Sequence, residues 1–272
     1  MNSGDQRYIW QADDWPHWRY DLASLAGPLT EVSRAQGALL GRLADVGPAL
    51  RDQASLAALT EDVVGTSGIE GEVLSVDSVR SSIARRLGAD IGAIAPVDRH
   101  VEGVVEMVLD ATARSAEPLT AERLFGWHAA LFPTGYSGMS QVAVGRWRDD
   151  LDGPMQVVSG PVGRRKVHFQ APPARALPAE IARFLAWANE DTGAPALVKA
   201  GLAHLWLVTL HPFDDGNGRI ARAVGDLFLA RADGSDPHRA EASARGHAAC
   251  DPARRREEVA SALRLGARAP RA

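Results

Sequence analysis

A stretch of twelve residues, from His211 to Arg222, gathers side chains that can handle protons, metal ions and phosphates. It reads HPFDDGNGRIAR. His211 can exchange a proton near neutral pH, and Asp215 supplies a hard carboxylate oxygen of the kind that Mg²⁺ prefers. Arg219 adds a planar fork of donors for phosphate oxygens. A base, a metal ligand and a cation so close together suit phosphoryl or nucleotidyl transfer to a hydroxyl group.

The flanking residues predict that this stretch connects two helices. Residues 196–210 have a helical pattern that runs into His211, and helical spacing resumes over 219–232. Between them, Asp215-Gly216 and Asn217-Gly218 are strong turn dipeptides. The loop therefore leads into a helix N-terminus, where unpaired N–H groups and the helix dipole favour an anion. Glycines there allow a phosphate to approach the backbone closely.

A polar connector between helices is the alternative explanation for a glycine-rich turn, but the complete string is far rarer by chance. It matches His-Pro-Phe-x-Asp-Gly-Asn-Gly-Arg-x-x-Arg at every defined position, and on it the chain resembles the Fic family. The resemblance implies a mainly α fold, with a Fic-type helical core, a β-hairpin flap and an N-terminal helical region. It also implies transfer of AMP from Mg-ATP to a Ser, Thr or Tyr hydroxyl of target proteins and of the enzyme itself.

The same resemblance implies a role for each residue of the loop. His211 would deprotonate the target hydroxyl, and Asp215 would bind magnesium. The α- and β-phosphates of ATP would be held by Gly216, Asn217, Gly218 and Arg219. Arg222 would reach the γ-phosphate. ATP and Mg²⁺ are therefore the expected cofactors.

A second motif lies upstream, where residues 66–72 read TSGIEGE. Thr66 and Glu70 resemble the inhibitory motif of the family, which is a Ser or Thr, three residues, Glu, and then Gly or Asn. In the subclass with an N-terminal inhibitory helix, this glutamate pairs with the second arginine of the loop, here Arg222. Arg222 cannot hold both Glu70 and a γ-phosphate, so the resemblance implies autoinhibition. Taken alone, a short Ser/Thr…Glu string also reads as a helix N-cap.

Residues 154–173 differ from the helical sequence around them. Two β-type runs, Gln156–Val158 and Lys166–Phe169, flank a turn rich in Gly and Pro, which predicts a hairpin. Its position before the loop matches the family's flap, where an extended target segment would dock by strand addition. Arg164, Arg165 and Lys166 form a basic tip, which we interpret as a solvated turn, with contact to an acidic target as the alternative.

Helical patterns account for most of the remaining chain. They cover 28–64, 75–88, 98–113, 120–131 and 178–190. Three tryptophans, Trp10, Trp15 and Trp18, are expected to pin an N-terminal arm onto this helical core. His128 and His204 lie within helical patterns and are interpreted as packing residues.

We divide the chain into a helical region with the inhibitory motif (1–95), a Fic core (96–235) and an Ala/Arg-rich tail (236–272). The resemblance fades beyond about residue 235, where the family pattern of further helices is not followed. The tail has few large apolar side chains, so we expect it to be poorly ordered, apart from a weak helix at 254–265.

Composition excludes several classes of protein. The chain has 272 residues, 46% of them hydrophobic, and a net charge of −4, so a folded globule without affinity for nucleic acid or membranes is expected. The one cysteine, Cys250, cannot form an intramolecular disulfide. Because no signal peptide or apolar stretch of about 18 residues is present, we expect a cytoplasmic location.

Three functions stay open at this point. The first is AMP transfer restrained by Glu70, onto a partner protein that presents a hydroxyl side chain. The second is AMP removal, with Glu70 positioning a water molecule. The third is a non-catalytic nucleotide-binding or regulatory protein, if the atypical C-terminus has altered the site. A homodimer also stays open.

Overall fold

The computed structural model describes residues 8–92, 94–161 and 164–232. The helices are α1 (Leu22–Ala44), α2 (Pro48–Ile69), α3 (Val76–Leu87), α4 (Arg99–Ala113), α5 (Ala121–Leu131), α6 (Leu177–Asn189), α7 (Ala196–Leu210) and α8 (Asn217–Ala232). The strands are β1 (Tyr136–Ser137), β2 (Ser140–Gln141), β3 (Gln156–Ser159) and β4 (Lys166–Gln170). The predicted mainly α class, with an N-terminal helical region and a β-hairpin, is therefore confirmed.

Capping residues explain where several helices begin. The Asp98 carboxylate accepts a hydrogen bond from the Val101 amide (2.8 Å) at the start of α4, and the Thr120 hydroxyl accepts one from the Arg123 amide (3.2 Å) at the start of α5. Gly88, in the left-handed region with φ 68°, ends α3. These signals are local, and the helices predicted from them begin and end within two residues of the observed bounds.

One continuous apolar core joins the helices. Helices α7 and α8 form its centre and pack against each other through fully buried side chains such as Leu207, Leu210 and Val224. Helices α4 and α5 lie against this pair, with Gly103 at their closest approach, where a Cβ would lie 1.7 Å from the Ala130 carbonyl oxygen. The loop between α7 and α8 therefore rests on a rigid base.

The predicted hairpin is present. Strands β3 and β4 pair antiparallel, from Gln156 opposite Gln170 to Ser159 opposite Lys166, with an irregularity between Val157 and Val158. A second hairpin, formed by β1 and β2, was not predicted. Its strands have two residues each, too few to show an alternating pattern.

The tryptophans hold the N-terminal arm on the core, as predicted. The ring centroids of Trp15 and Trp18 lie 5.8 and 5.7 Å from that of Trp206 on α7. Trp10 Nε1 donates to the Gln170 carbonyl oxygen at 2.7 Å, so the arm also reaches the end of β4.

The remaining predictions concern the start of α8, the tail, membrane-spanning helices and the domain boundaries. Helix α8 begins at Asn217, two residues before the predicted start, for a reason given below. The predicted helix at 254–265, like the tail that contains it, lies outside the described residues. No helix within the described ranges has the length and apolar character needed to cross a membrane. The proposed domain boundaries stay predictions.

Candidate active site

The loop between α7 and α8 is shaped by two residues. His211 ends α7 in the left-handed region, with φ 46° and ψ 59°, a conformation that few residues other than glycine adopt. Asn217 closes the loop: its Oδ1 accepts from the Phe213 amide (2.9 Å) and its Nδ2 donates to the Phe213 carbonyl (2.8 Å). Phe213 is fully buried, so these bonds anchor the loop and start α8 early.

The imidazole of His211 is oriented by its own helix. Nδ1 lies 2.6 Å from the carbonyl oxygen of Val208. Because a carbonyl can only accept, Nδ1 carries the proton and Nε2 keeps a lone pair. Burial lowers the pKa of His211 below its ordinary value, which keeps the ring neutral at pH 7. Nε2 is therefore the ring atom of His211 that can accept a proton.

Arg148 fixes the position of His211 relative to the hairpin. Its buried guanidinium donates to the carbonyl oxygens of His211 (Nε, 2.7 Å) and Pro172 (Nη2, 2.6 Å), and it pairs with Asp150 (2.8 Å). Pro172 follows β4 closely, so one side chain ties the base of the hairpin to the loop. The sequence analysis missed Arg148, because no motif or periodicity separates it from a surface arginine.

Hydrogen bonds fix the orientation of the Asp215 carboxylate. Its Oδ2 accepts from the Ser137 hydroxyl (2.5 Å) and its Oδ1 from the Gly216 amide (2.7 Å), which leaves further lone pairs on both oxygens. Across the described residues, no group of three or more His, Cys, Asp or Glu side chains could hold a metal ion unaided. A magnesium ion here would therefore take one carboxylate and complete its shell with phosphates and water, which is a common arrangement.

Gly216 and the first turn of α8, together residues 216–219, have the features of an anion site, and we use that name for them below. The first bond within the helix runs from the Ile220 amide to the Gly216 carbonyl (3.0 Å), so the preceding N–H groups are those that a helix leaves unpaired. The Asn217 side chain is occupied by Phe213, so its contribution to a phosphate would come from its backbone N–H. Gly216 has φ 77°, and a Cβ on it would lie 2.9 Å from Phe132.

Glu70 lies directly against the anion site. Its Oε1 accepts from Arg222 Nη2 at 2.7 Å, and a Cβ placed on Gly218 would lie 2.2 Å from that same oxygen. Arg222 also donates to the Thr66 hydroxyl (2.7 Å) and to the Thr66 carbonyl (2.9 Å). The pair that the resemblance implied is thus formed, and both residues of the inhibitory motif contact the arginine.

This motif lies at a helix C-terminus, so the interpretation as an N-cap is wrong. The Glu72 amide donates to the Ser67 carbonyl, and the Gly71 amide donates to the Gly68 carbonyl, both at 3.0 Å. Gly71 has φ 84°. This bonding pattern is a Schellman motif, which needs a left-handed residue after the helix. The turn at Gly71 sends Glu70 and Glu72 toward α8.

Arg219 has a carboxylate partner that the sequence analysis missed. The residue is 2% exposed, and its Nη1 donates to Glu72 Oε2 at 2.7 Å. The same oxygen lies 3.0 Å from His100 Nε2 on α4. The hydrogen bond between them lowers the pKa of Glu72 and raises that of His100. Glu72 falls within the TSGIEGE stretch, but only the folded chain brings α4 beside it.

A cleft of about 790 Å³ separates β3 from the segment 141–155, and Asp214 of the loop lines it. Val157 and Val158 on β3 are 42% and 38% exposed. An extended peptide pairing with the hairpin would therefore lie close to the loop.

The packing interpretation of His128 agrees with its position. The ring is fully buried and stacks on Phe213 at a centroid distance of 4.2 Å, and burial lowers its pKa to about 4. His204 lies on α7.

The helices, the hairpin and this loop define a class of protein. Residues 118–229 match the model of the Fic/DOC family, and residues 8–89 match that of a domain of unknown function, DUF4172. The chain therefore carries a Fic/DOC family domain over residues 118–229.

Among curated proteins, the chain is similar to a uridine 5'-monophosphate transferase from Xanthomonas campestris pv. campestris. The two are 32% identical over 138 residues, which cover 44% of this chain and 22% of that protein. The match thus spans about a fifth of the length of the relative.

Three solved structures share the fold. A Fic family protein from Desulfovibrio desulfuricans has a TM-score of 0.57 and 22% identity, over 91% of this chain and 67% of its own. A Fic domain containing signaling protein from Bacteroides thetaiotaomicron has a TM-score of 0.55 and 20% identity, with coverages of 75% and 72%. A glutamate-to-glycine variant of Fic-1 from C. elegans has a TM-score of 0.55 and 19% identity, with coverages of 90% and 66%.

Proposed function

We propose that this protein transfers AMP from Mg-ATP to a Ser, Thr or Tyr hydroxyl of other proteins and of itself, and that Glu70 restrains the reaction. The observation that carries the proposal is the position of Glu70. Its carboxylate pairs with Arg222 and covers Gly218 in the anion site, beside a loop that begins with a neutral, oriented histidine.

The proposed reaction is an in-line exchange at phosphorus. The target hydroxyl gives its proton to Nε2 of His211 as its oxygen forms a bond to the α-phosphorus. The bond from that phosphorus to the bridging oxygen of the β-phosphate breaks, and pyrophosphate leaves. The N–H groups of the anion site and Arg219 would hold the phosphates, and Asp215 would hold magnesium, which supplies positive charge against the developing negative charge.

Restraint by Glu70 follows from charge and space. A carboxylate beside Gly218 occupies the position of a phosphate and repels another anion. Arg222 has three hydrogen bonds to Thr66 and Glu70, so it is not available to a γ-phosphate while they persist. ATP would then bind weakly or in an unproductive orientation.

The identity of the transferred nucleotide has a second candidate. The similar protein from Xanthomonas campestris is named for UMP transfer, so UTP in place of ATP is the alternative donor. The residues 211–222 contact phosphates in this proposal and do not discriminate between the bases.

The experiment is to incubate wild type and the Glu70→Gly variant with MgCl₂ and either α-³²P-labelled ATP or α-³²P-labelled UTP. We expect covalent label on protein from ATP, with more on Glu70→Gly than on wild type and none on a His211→Ala, Glu70→Gly double variant. Labelling from UTP and not from ATP would identify UTP as the nucleotide donor. Unchanged or reduced labelling of a correctly folded Glu70→Gly variant would contradict restraint by Glu70.

A further inference from the structure

Two glutamates leave the C-terminus of α2 on either side of Gly71, and each pairs with an arginine of α8. Glu70 pairs with Arg222 and Glu72 with Arg219, both at 2.7 Å. The family resemblance concerns only the first pair. The question is whether Glu72 acts against the anion site, as Glu70 is proposed to do, or in support of it.

The guanidinium of Arg219 has a buried hydrogen-bond donor that no described residue satisfies. The side chain is 2% exposed, and its guanidinium carbon lies 5.3 Å from the centre of the Phe132 ring. Glu72 occupies Nη1, whereas Nε is buried without a hydrogen-bond partner among the described residues. A buried donor without a partner is costly, and a phosphate oxygen would satisfy it.

Glu70, and not Glu72, is the carboxylate nearest to Gly218 of the anion site. The three atoms nearest to a Cβ on Gly218 belong to Glu70 and Arg222. The carboxylate of Glu72 is bonded to His100 on α4, and the backbone amide of Glu72 donates a hydrogen bond to the Ser67 carbonyl. Its carboxylate thus fixes one nitrogen of the Arg219 fork and leaves the others for a ligand.

We propose that Glu72 is a positioning residue that braces Arg219 toward the phosphates, so that it supports the reaction that Glu70 blocks. This inference rests on the proposed nucleotide transfer. A buried guanidinium needs a counter-ion, and without Glu72 the side chain would seek another partner or solvent and lose its fixed orientation. His100 in turn holds the carboxylate on the side of α4.

The test uses the Glu70→Gly variant as the parent, since its transfer is not restrained. We expect Glu72→Ala to lower kcat at saturating ATP by about tenfold, because a hydrogen bond to a charged group is lost. Glu72→Gln keeps an acceptor oxygen of similar reach and should recover part of that loss. Glu61→Gln serves as the control, because Glu61 is an exposed carboxylate on α2, the helix that precedes Glu72.

Three results would overturn the inference. A rate equal to that of the parent, with a lower melting temperature, would assign Glu72 a structural role only. A rate above that of the parent would make Glu72 a second inhibitory residue. A loss in Glu61→Gln as large as that in Glu72→Ala would show that the effect does not arise from the contact with Arg219.

Failure of the proposed nucleotide transfer can be distinguished from failure of the proposed role of Glu72. If the parent transfers no nucleotide at all, the brace is read from the ¹⁵N-edited NMR signal of the Arg219 Nε–H group. We expect that hydrogen to exchange slowly with water in the parent and rapidly in Glu72→Ala. Slow exchange in both would show that Arg219 keeps its place without Glu72, which would overturn the inference independently of activity.

Discussion

The two pairs that join α2 to α8 use the same chemistry in different surroundings. In the Glu70–Arg222 pair, the side chains are 35% and 16% exposed, and the carboxylate lies over Gly218. In the Glu72–Arg219 pair, the arginine is 2% exposed, and the carboxylate is shared with His100. The opposite roles that we propose for the two glutamates therefore rest on their positions relative to the anion site, and not on the ion pair itself.

Energetics favour the same separation of roles. The Arg222 side chain is 16% exposed and that of Arg219 is 2% exposed, and a charge left without its partner is more costly the more deeply it is buried. Release of Glu70 from Arg222 therefore exposes a usable cation, and release of Glu72 from Arg219 leaves a buried one without support. Both glutamates extend from one turn at Gly71, so a displacement of that turn would change both pairs together.

Both glutamates can act only if a reaction takes place at the loop, and loss of His211 has the largest expected effect on that reaction. In the Glu70→Gly parent, His211→Ala should lower the rate of transfer by about 10²–10⁴-fold, the usual contribution of a positioned general base. Binding of Mg-ATP, measured by calorimetry, should remain, because the anion site is intact. Equal labelling of the variant and its parent would remove His211 from its role.

Loss of the Glu70–Arg222 pair should have the next largest effect on the rate of transfer. Glu70→Gly should raise transfer and self-modification by about ten- to a hundredfold, because it frees one cation and removes one like charge. Initial rates with labelled ATP measure the gain, and circular dichroism verifies the fold. Some loss of stability should accompany it, since Arg222 loses its partner. Glu61→Ala on the same helix should leave the rate unchanged.

Two neighbouring aspartates, Asp214 and Asp215, allow a test of the proposed magnesium ligand. Asp215→Ala should lower the enhancement of ATP binding by Mg²⁺ by about tenfold, because one carboxylate ligand is lost. Asp214→Ala is the matched control, since Asp214 is engaged by the Ala143 amide at 2.9 Å. Calorimetric titrations with and without metal compare the two. Equal enhancement in wild type and Asp215→Ala would place the metal elsewhere.

The turn that carries both glutamates can be strained by one methyl group. Gly71→Ala forces a φ of 84° on a residue with a Cβ and should lower the free energy of unfolding by about 1–2 kcal/mol. Gly68→Ala is the control: Gly68 lies in α2 with no atom within 4 Å of the added Cβ, so it should be neutral or stabilising. Urea denaturation measures both. A stability loss in Gly68→Ala as large as that in Gly71→Ala would reject the Schellman turn as the cause.

Local signals were sufficient to predict much of this molecule. The string from His211 to Arg222 identified the loop, and the β-type runs at 156–158 and 166–169 identified the hairpin, because each depends on neighbours in sequence. The Glu70–Arg222 contact followed from a family motif and not from spacing, since 152 residues separate the two.

Residues that act through tertiary contacts gave no such signal. Arg148 meets His211 across 63 positions, and Glu72 meets Arg219 across 147. Arginine and glutamate are ordinary surface residues in a sequence, so only burial beside a specific partner reveals their role. His100 is a further case: its significance comes from the packing of α4 against the end of α2.

His100 provides the smallest expected effect and the finest test of the brace. Its pKa is raised mainly by the hydrogen bond to Glu72, against opposing effects of burial and Arg219. A raised pKa means that protonated His100 stabilises the fold below the unfolded value of about 6.5, and that this contribution is lost as the pH rises through the folded value. The pKa of Glu72 is lowered, so Glu72 stays ionised across this window. Burial lowers the pKa of His211, and it lowers that of His128 to about 4, so His128 is neutral there.

The melting temperature of wild type should therefore fall, relative to that of His100→Gln, as the pH rises from about 6 to about 8. Glutamine keeps a donor for Glu72 but cannot be charged, so the difference between the two curves isolates the titration of His100. Differential scanning calorimetry at several pH values measures it, and the remaining histidines are common to both proteins. Parallel curves would show that the charge of His100 does not contribute, and Glu72 would then brace Arg219 through its hydrogen bonds alone.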